Sequence, residues 1–207
     1  MREINVFVSY SHKDELWVSN EKYDLIRSFD DFFKSNIEDC NIKFWYDHAL
    51  SESPGRVWED SIKQNIEKAH FAILLISQNF VSSSFIKAKE LPLIKGKMDR
   101  NELSIIPILI GNVDWEAVTE NFQWLINTQI LPSTDTPLIK LAENNADWDE
   151  AKMKIIKGIS KTFKNFINSK FCNSRNNNST LTEELKKTSE NLLRIVPKKN
   201  WCFRVYS

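Results

Sequence analysis

Four polar side chains follow the first apolar run of the chain, at a position where an α/β sheet would form a binding edge. The run Ile4–Val8 is short and rich in strand-forming residues, and it is followed at once by Ser9, Tyr10, Ser11 and His12. In open α/β sheets, ligands bind at the carboxyl ends of the strands, so the hydroxyl and backbone N–H groups here are candidate ligand contacts. The alternative is a capped loop before a helix, with Ser11 or Asp14 as the N-cap and Tyr10 as a packing residue.

Other residue types suited to a binding site occur later in the chain. Asp47 lies just beyond the second strand-like run, where it either contacts a ligand or forms a turn. Pro54 and Gly55 end a polar loop and shape it, whether the loop closes over a ligand, contacts a neighbouring protein or is a plain turn. Glu90 offers a carboxylate in a short helical stretch, although most glutamates on helices only face solvent.

Composition argues against several other chemistries. The chain has four glycines and no glycine-rich phosphate or dinucleotide motif, which argues against an enzyme that uses a nicotinamide cofactor for hydride transfer. Lys+Arg and Asp+Glu both number 28, so the formal net charge is zero and we predict no direct nucleic-acid partner. No pair of cysteines has zinc-ligand spacing and no histidine clusters with them, so we predict no metal site.

The same sequence predicts a cytoplasmic protein with no membrane partner. Three scattered cysteines, an odd number, are typical of a reducing compartment rather than of a disulfide framework. No apolar run is long enough to span a bilayer, because charged residues interrupt every stretch. The segment Met1–Ile4 leads directly into a strand-like run and does not resemble a signal peptide.

Apolar runs predict the strands that must position the candidate residues. We expect strands near residues 4–8, 42–46, 71–76 and 105–110. The unbroken apolar run Phe71–Ile76 is typical of a central strand that is buried on both faces. Pro107 indicates a strand end or an edge strand, and a fifth short strand is predicted near residues 137–139.

Apolar residues spaced three or four apart predict amphipathic helices between these strands. One stripe joins Leu25 to Phe33, a second runs from Trp58 to Ala69 and puts Trp58 in the core, and a third marks a last helix that starts near Asp149. A short helix is predicted over residues 85–94, in which Pro92 shortens or bends the chain. Strands that alternate with helices predict an α/β fold with a central parallel sheet of four to five strands.

The chain changes character after residue 170, which predicts a division into three parts. Residues 1–170 carry all of the strand and helix patterns above. Residues 171–180 are rich in Asn and Ser without periodicity and predict a polar linker. Residues 181–207 predict a C-terminal tail with a helix and a short strand, which we interpret as a candidate docking element, because it cannot form a core alone.

Six segments, in order and at the expected spacing, resemble those of bacterial TIR (Toll/interleukin-1 receptor) domains. They are Val6–Asp14; Asp47 with Pro54-Gly55 and Trp58; Ile73–Ser77 with Asn79-Phe80; Ser84–Ile86 with Glu90-Leu91-Pro92; Ile106–Ile108 with Asp114-Trp115; and Gln129–Pro132 before Pro137-Leu138. Each segment alone is weakly specific, but the ordered set is strongly specific and covers about residues 1–168. The resemblance implies a flavodoxin-like, three-layer α/β sandwich.

The resemblance also implies one of two functions. Some TIR domains cleave the nicotinamide–ribose bond of NAD⁺, as a glycohydrolase or an ADP-ribosyl cyclase, and in bacteria this activity is associated with defence against phage. Others are non-catalytic scaffolds that act through homotypic contacts. NAD⁺ would be a substrate and not a bound cofactor. The implied partners are further copies of the domain, as a homo-oligomer, and a sensor or effector protein.

The implied site is centred on Glu90, which stands at the position of the family's catalytic glutamate. The residues that would contact the substrate are Ser9, Tyr10, Ser11, His12, Asp47, Pro54, Gly55, Trp58, Ser84, Phe85 and Ile86, of which the first four would hold the diphosphate or the adenosine. Many enzymatic members place a tryptophan at the position of Ile86, where it can stack on nicotinamide, whereas an aliphatic side chain packs but does not stack. A related bacterial subset carries the same Phe-Ile pair, so this departure does not indicate an inactive site.

Overall fold

The computed structural model describes residues 2–19, 23, 25–36, 40–46, 58–116, 122–133, 135–143 and 145–169. The chain divides into two compact units, Met1–Ser160 and Lys161–Ser207, and only residues 161–169 of the second are described. The predicted linker and tail, residues 171–207, lie outside the described residues. The three-part division therefore stays a prediction.

A four-stranded parallel sheet forms the centre of the first unit. Its strands are β1 (Arg2–Ser9), β2 (Cys40–Trp45), β3 (Phe71–Ile76) and β4 (Ser104–Leu109), in the spatial order β2-β1-β3-β4. All six residues of β3 are buried, as the unbroken apolar run predicts. The predicted α/β fold with a central parallel sheet of four to five strands is thus confirmed, with four strands among the described residues.

The fifth strand predicted near residues 137–139 is wrong. Pro137 precedes a short helix, Leu138–Leu141, which turns the buried Leu138 inward. Backbone pairing beside β4 is instead made by Leu131, whose N–H donates to the Pro107 carbonyl at 2.9 Å and whose carbonyl accepts from the Leu109 N–H at 2.8 Å. The nitrogen of Pro107 faces this outer edge, so β3 needs no N–H from it and the proline is tolerated.

Helices cover the sheet, and their bounds follow the apolar stripes closely. They are α1 (Leu16–Ser19), α2 (Leu25–Asn36), α3 (Trp58–Lys68), α4 (Gln78–Ser82), α5 (Leu91–Asp99), α6 (Gln123–Ile126), α7 (Leu138–Leu141) and α8 (Asn145–Ile167). A turn of 3₁₀ helix spans His12–Asp14 and a turn of π helix spans Ile86–Glu90. The last helix begins four residues earlier than the pattern near Asp149 predicted. No helix among the described residues is long and apolar enough to cross a membrane.

The expectation that Trp58 lies in the core is wrong. Ile62 and Ile66, on the same stripe of α3, are buried, but Trp58 is 36% exposed. Trp58 is the first residue of the helix, and its ring packs on Phe85 and on the edge of His12. The indole is therefore at the surface, beside residues that follow β1 and precede Glu90.

A buried carboxylate joins the loops that follow β1 and β3. Asp14 accepts hydrogen bonds from the Ser77 hydroxyl at 2.5 Å and from the Asn79 amide at 2.8 Å, and the Ser77 oxygen accepts from the Phe80 N–H at 3.1 Å. Gly111 packs against Ser77 so closely that an added Cβ would lie 3.0 Å from the serine Cβ. These contacts fix the carboxyl edge of the sheet, where the candidate residues are.

A buried lysine caps the end of α3. The Lys97 ammonium donates to the carbonyls of Ile66, Glu67 and Ala69 at 3.2, 2.5 and 3.0 Å. Burial lowers the pKa of Lys97 below its usual range. The last carbonyls of a helix lack the partners that earlier carbonyls have, and this side chain supplies a donor to three acceptors there, of which the Ile66 carbonyl also accepts from the Ala69 N–H at 3.1 Å.

We expect Lys97→Met to lower the free energy of unfolding by about 2 to 4 kcal/mol, because three carbonyls lose their shared donor. Urea denaturation followed by circular dichroism measures this change. Lys95→Met is the matched control, because Lys95 is two residues before Lys97 on α5 and forms an exposed pair with Asp99, four residues further on. We expect a change within about 0.5 kcal/mol. Equal midpoints for the two variants would contradict the capping role.

We expect Asp14→Asn to lower the free energy of unfolding by about 1 to 3 kcal/mol, because an amide NH₂ would replace one of the two carboxylate acceptors. The same denaturation experiment tests this, with Asp60→Asn on the exposed face of α3 as the control. A loss no larger than that of the control would show that the Asp14 contacts contribute little to folding.

Candidate functional site

Glu90 lies at the end of the π-helical turn, directly before α5. The Leu91 N–H donates to the Ile86 carbonyl, five residues back, rather than to the fourth as in an α-helix. Pro92 has no N–H, and its ring would clash with the carbonyl four residues earlier in a regular α-helix, so the wider turn accommodates it. The sequence predicted that Pro92 shortens or bends the helix. In the structure the helix is not shortened at Pro92: a π turn ends at Glu90 and α5 continues to Asp99.

The carboxylate of Glu90 is buried and meets a hydroxyl from the central sheet. Glu90 is 6% exposed, and its Oε2 accepts a short hydrogen bond from the Ser9 hydroxyl. Ser9 is the last residue of β1, is 1% exposed and pairs with Leu74 of β3. The two side chains are 81 residues apart in sequence and meet at the carboxyl edge of the sheet.

Four rings form an aromatic row: Tyr10, which follows Ser9 in the chain, then His12, Trp58 and Phe85, which precedes the π turn. Tyr10 and His12 are stacked with centroids 5.9 Å apart, and His12 meets Trp58 edge-on at 6.2 Å. The Trp58 and Phe85 rings are 4.1 Å apart at an angle of 38°. The row thus runs from the loop after β1, over the start of α3, to the residue that precedes the π turn.

The remaining predicted site residues are placed differently. Ser11 is buried and precedes the 3₁₀ turn, but its side chain forms no capping hydrogen bond. Ser84 is exposed, whereas Ile86 is buried in the core. Asp47, Pro54 and Gly55 lie outside the described residues, and so their predicted roles stay predictions.

Three polar residues at this edge were absent from the predicted site. Ser77 directly follows β3, and Ser9 is the last residue of β1, so the repeated pattern of an apolar run followed by serine could have identified Ser77. Asn79 donates to Asp14, and Ser83 caps the helix with its oxygen, which accepts from the Ile86 N–H at 3.3 Å. No short-range pattern in the sequence pairs Asn79 with a carboxylate 65 residues earlier.

The charges around Glu90 are mostly at the surface. Lys89, its neighbour on the π turn, pairs with Glu59 of α3 at 3.0 Å, and both side chains are about half exposed. An exposed pair of this kind contributes little to stability, but it links the turn to the start of α3, where Trp58 lies. Among the described residues, no group of three or more His, Cys, Asp or Glu side chains is arranged to hold a metal ion. The local chemistry is therefore that of one buried carboxylate, a hydroxyl donor and a set of rings.

Comparisons with known proteins agree with the observed fold. The family model described as "TIR domain" matches residues 6–142, which is more than half of the chain. Toll-like receptor 2 of Boselaphus tragocamelus and of Equus caballus are each 32% identical to this chain over 119 residues, and that of Pan troglodytes is 30% identical over 119 residues. The aligned region is 57% of this chain but only 14% of each receptor. The matched segment, the parallel sheet and its flanking helices together confirm the predicted family, and the chain belongs to the TIR domain family.

Proposed function

We propose that this chain cleaves the nicotinamide–ribose bond of NAD⁺, as a glycohydrolase or an ADP-ribosyl cyclase. The observation that supports the proposal most directly is the Glu90 carboxylate, buried at the carboxyl edge of the sheet and hydrogen-bonded by Ser9. Ligands bind at this edge in open α/β sheets, so the carboxylate stands where a substrate would be held.

The reaction requires an anion that stabilises the developing positive charge, and it does not require an acid that protonates the leaving group. In NAD⁺ the leaving group is already a cationic pyridinium, so it departs as neutral nicotinamide without being protonated. The ribose acquires positive charge as the bond breaks, and a nearby carboxylate stabilises that charge and can hydrogen-bond the ribose hydroxyls. Because the electrostatic interaction is stronger where water is excluded, a buried carboxylate serves this role better than an exposed one.

The aromatic row is suited to binding the nicotinamide ring, which is joined to the ribose by the bond that breaks. An indole face attracts a cationic ring by a cation–π interaction, and Trp58 is both exposed enough to be reached and held against Phe85. Phe85 is five residues before Glu90, so this one ring and the carboxylate are on adjoining parts of the same helical segment. Trp58 would thereby offer the aromatic face that Ile86 does not.

The proposal includes control by assembly. TIR domains contact one another homotypically, and we propose that such contacts between copies of this chain order the site and activate it. A sensor or effector protein would promote the assembly, in a defence response against phage in the cytoplasm. In this scheme NAD⁺ is the substrate, and the site requires no bound cofactor.

A second candidate function is a non-catalytic adaptor that acts through TIR–TIR contacts alone. The observation that favours it is the identity of the relatives, which are named as receptors. An adaptor needs an exposed contact surface but no buried anion. Glu90 therefore separates the two candidates.

We expect Glu90→Gln to lower the rate of NAD⁺ loss by a factor of about 100 to 1,000 or more, because the amide keeps the shape of the side chain but removes its charge. The measurement is NAD⁺ consumption at high protein concentration, with nicotinamide, ADP-ribose and cyclic products separated by chromatography. Glu150→Gln, on the exposed face of α8, is the control and should retain the wild-type rate. Absence of NAD⁺ loss in the concentrated wild type, with normal self-association, would favour the adaptor.

We expect Trp58→Leu to raise the KM for NAD⁺ about 3- to 30-fold with a smaller change in kcat, because it removes the aromatic face and not the anion. Steady-state kinetics over a range of NAD⁺ concentrations measure both constants. Trp148→Leu is the matched control, because that ring packs with Trp17 and Tyr23 rather than in the aromatic row. Equal KM values for the two variants would remove Trp58 from the substrate site.

A further inference from the structure

Ser9 is placed to act on Glu90. It is 1% exposed, and its hydroxyl donates to Oε2 of Glu90. The sequence suggested a direct contact with the diphosphate or the adenosine, as for the other polar residues of this loop. Because this hydroxyl is buried and donates to the Glu90 carboxylate, it is better placed to act on Glu90 than to contact the substrate directly.

We infer that Ser9 is a positioning residue, whose hydroxyl holds the Glu90 carboxylate in one orientation and in its anionic form. The inference rests on the proposed function, because it assigns Ser9 a role in the reaction proposed for Glu90. Ser9 itself acts through the carboxylate and need not touch the substrate.

The backbones on both sides of this hydrogen bond are fixed. Ser9 ends a strand that lies between β2 and β3, and its backbone is in register with Leu74. Glu90 is the last residue of a π-helical turn whose first residue, Ile86, is buried in the core. A glutamate side chain has three rotatable bonds, so fixed backbones alone leave its carboxylate several orientations. A hydrogen bond to one oxygen selects among them.

The hydrogen bond also opposes the effect of burial on the charge. Removal from water disfavours an ionised carboxylate, whereas a donor aimed at the carboxylate favours the ionised form. The oxygen that accepts from Ser9 is Oε2. Orientation and charge are thus set by the same contact.

The test compares four substitutions at Ser9 in the full chain. Ser9→Ala and Ser9→Val remove the hydroxyl, whereas Ser9→Thr retains it and has nearly the same shape as valine. We expect kcat for NAD⁺ cleavage to fall about 10- to 100-fold in the alanine and valine variants, as the loss of a charge-assisted hydrogen bond predicts, with KM within about 2-fold of wild type. Ser9→Thr should restore most of the rate, and Ser9→Cys, a weak donor, should be intermediate.

A merely structural role predicts a different result. In that case the threonine and valine variants would lose activity together, in proportion to their loss of thermal stability, and this outcome would overturn the inference. The double variant Ser9→Ala/Glu90→Gln provides a second criterion. If Ser9 acts through Glu90, the double variant should cleave NAD⁺ no more slowly than Glu90→Gln alone. A further 10-fold loss of rate in the double variant would also overturn the inference.

A spectroscopic readout separates failure of this inference from failure of the proposed function. The side-chain carboxyl ¹³C resonance of Glu90, assigned by its absence in Glu90→Gln, should move in Ser9→Ala and stay close to wild type in Ser9→Thr. If the wild type does not cleave NAD⁺, the proposed function fails, while a shift confined to the alanine variant still supports control of the carboxylate by Ser9. An unchanged resonance in Ser9→Ala overturns the inference, even in an active enzyme.

Discussion

A carboxylate can be buried in a folded protein only where donors replace the water that it loses, and this constraint organises the carboxyl edge of the sheet. Among the described residues, two carboxylates are buried there. Asp14 is met by Ser77 and Asn79, and Glu90 is met by Ser9. All three contacts bring together residues more than 60 positions apart in sequence, so tertiary hydrogen bonds fix this edge. The two serines are the last residue of β1 and the first residue after β3.

The π turn that ends at Glu90 shows how a local irregularity in a helix positions a residue for such a hydrogen bond. A proline in the second position of α5 would ordinarily indicate that a helix starts there, and the residues before it would not be helical. Here the wider turn lets one helical segment run past Pro92, and Glu90 and Leu91 are both buried. Single π turns within helices are frequent at functional sites. The one additional residue in such a turn rotates the residues around it to a different face of the helix. The sequence contained Pro92, which accounts for the irregularity, but it did not indicate that the irregularity is a π turn.

Periodicity predicted most of the fold, because burial on a strand or a helix repeats at short range. The unbroken run Phe71–Ile76 predicted β3 with its observed bounds, and the stripe of α3 predicted Ile62 and Ile66 in the core. The same reasoning misplaced Trp58, because a stripe does not indicate where the sheet beneath it ends. It also predicted a strand where Pro137 precedes a helix, since a run of three apolar residues fits either element. The contact between Ser9 and Glu90 has no short-range signature, and family resemblance identified Glu90 without indicating what holds it.

The two candidate functions place different demands on Glu90. For folding alone, a buried ionic group is often replaced by a well-packed apolar side chain at no loss of stability, so a binding module would do as well with leucine at this position. The neighbouring positions of the same helical segment, Ile86, Leu91 and Ile94, are apolar and buried. What leucine would not supply is a carboxylate at the edge where α/β sheets bind ligands. The proposed cleavage of NAD⁺ would use that carboxylate, whereas a scaffold that acts only through its surface has no use for it.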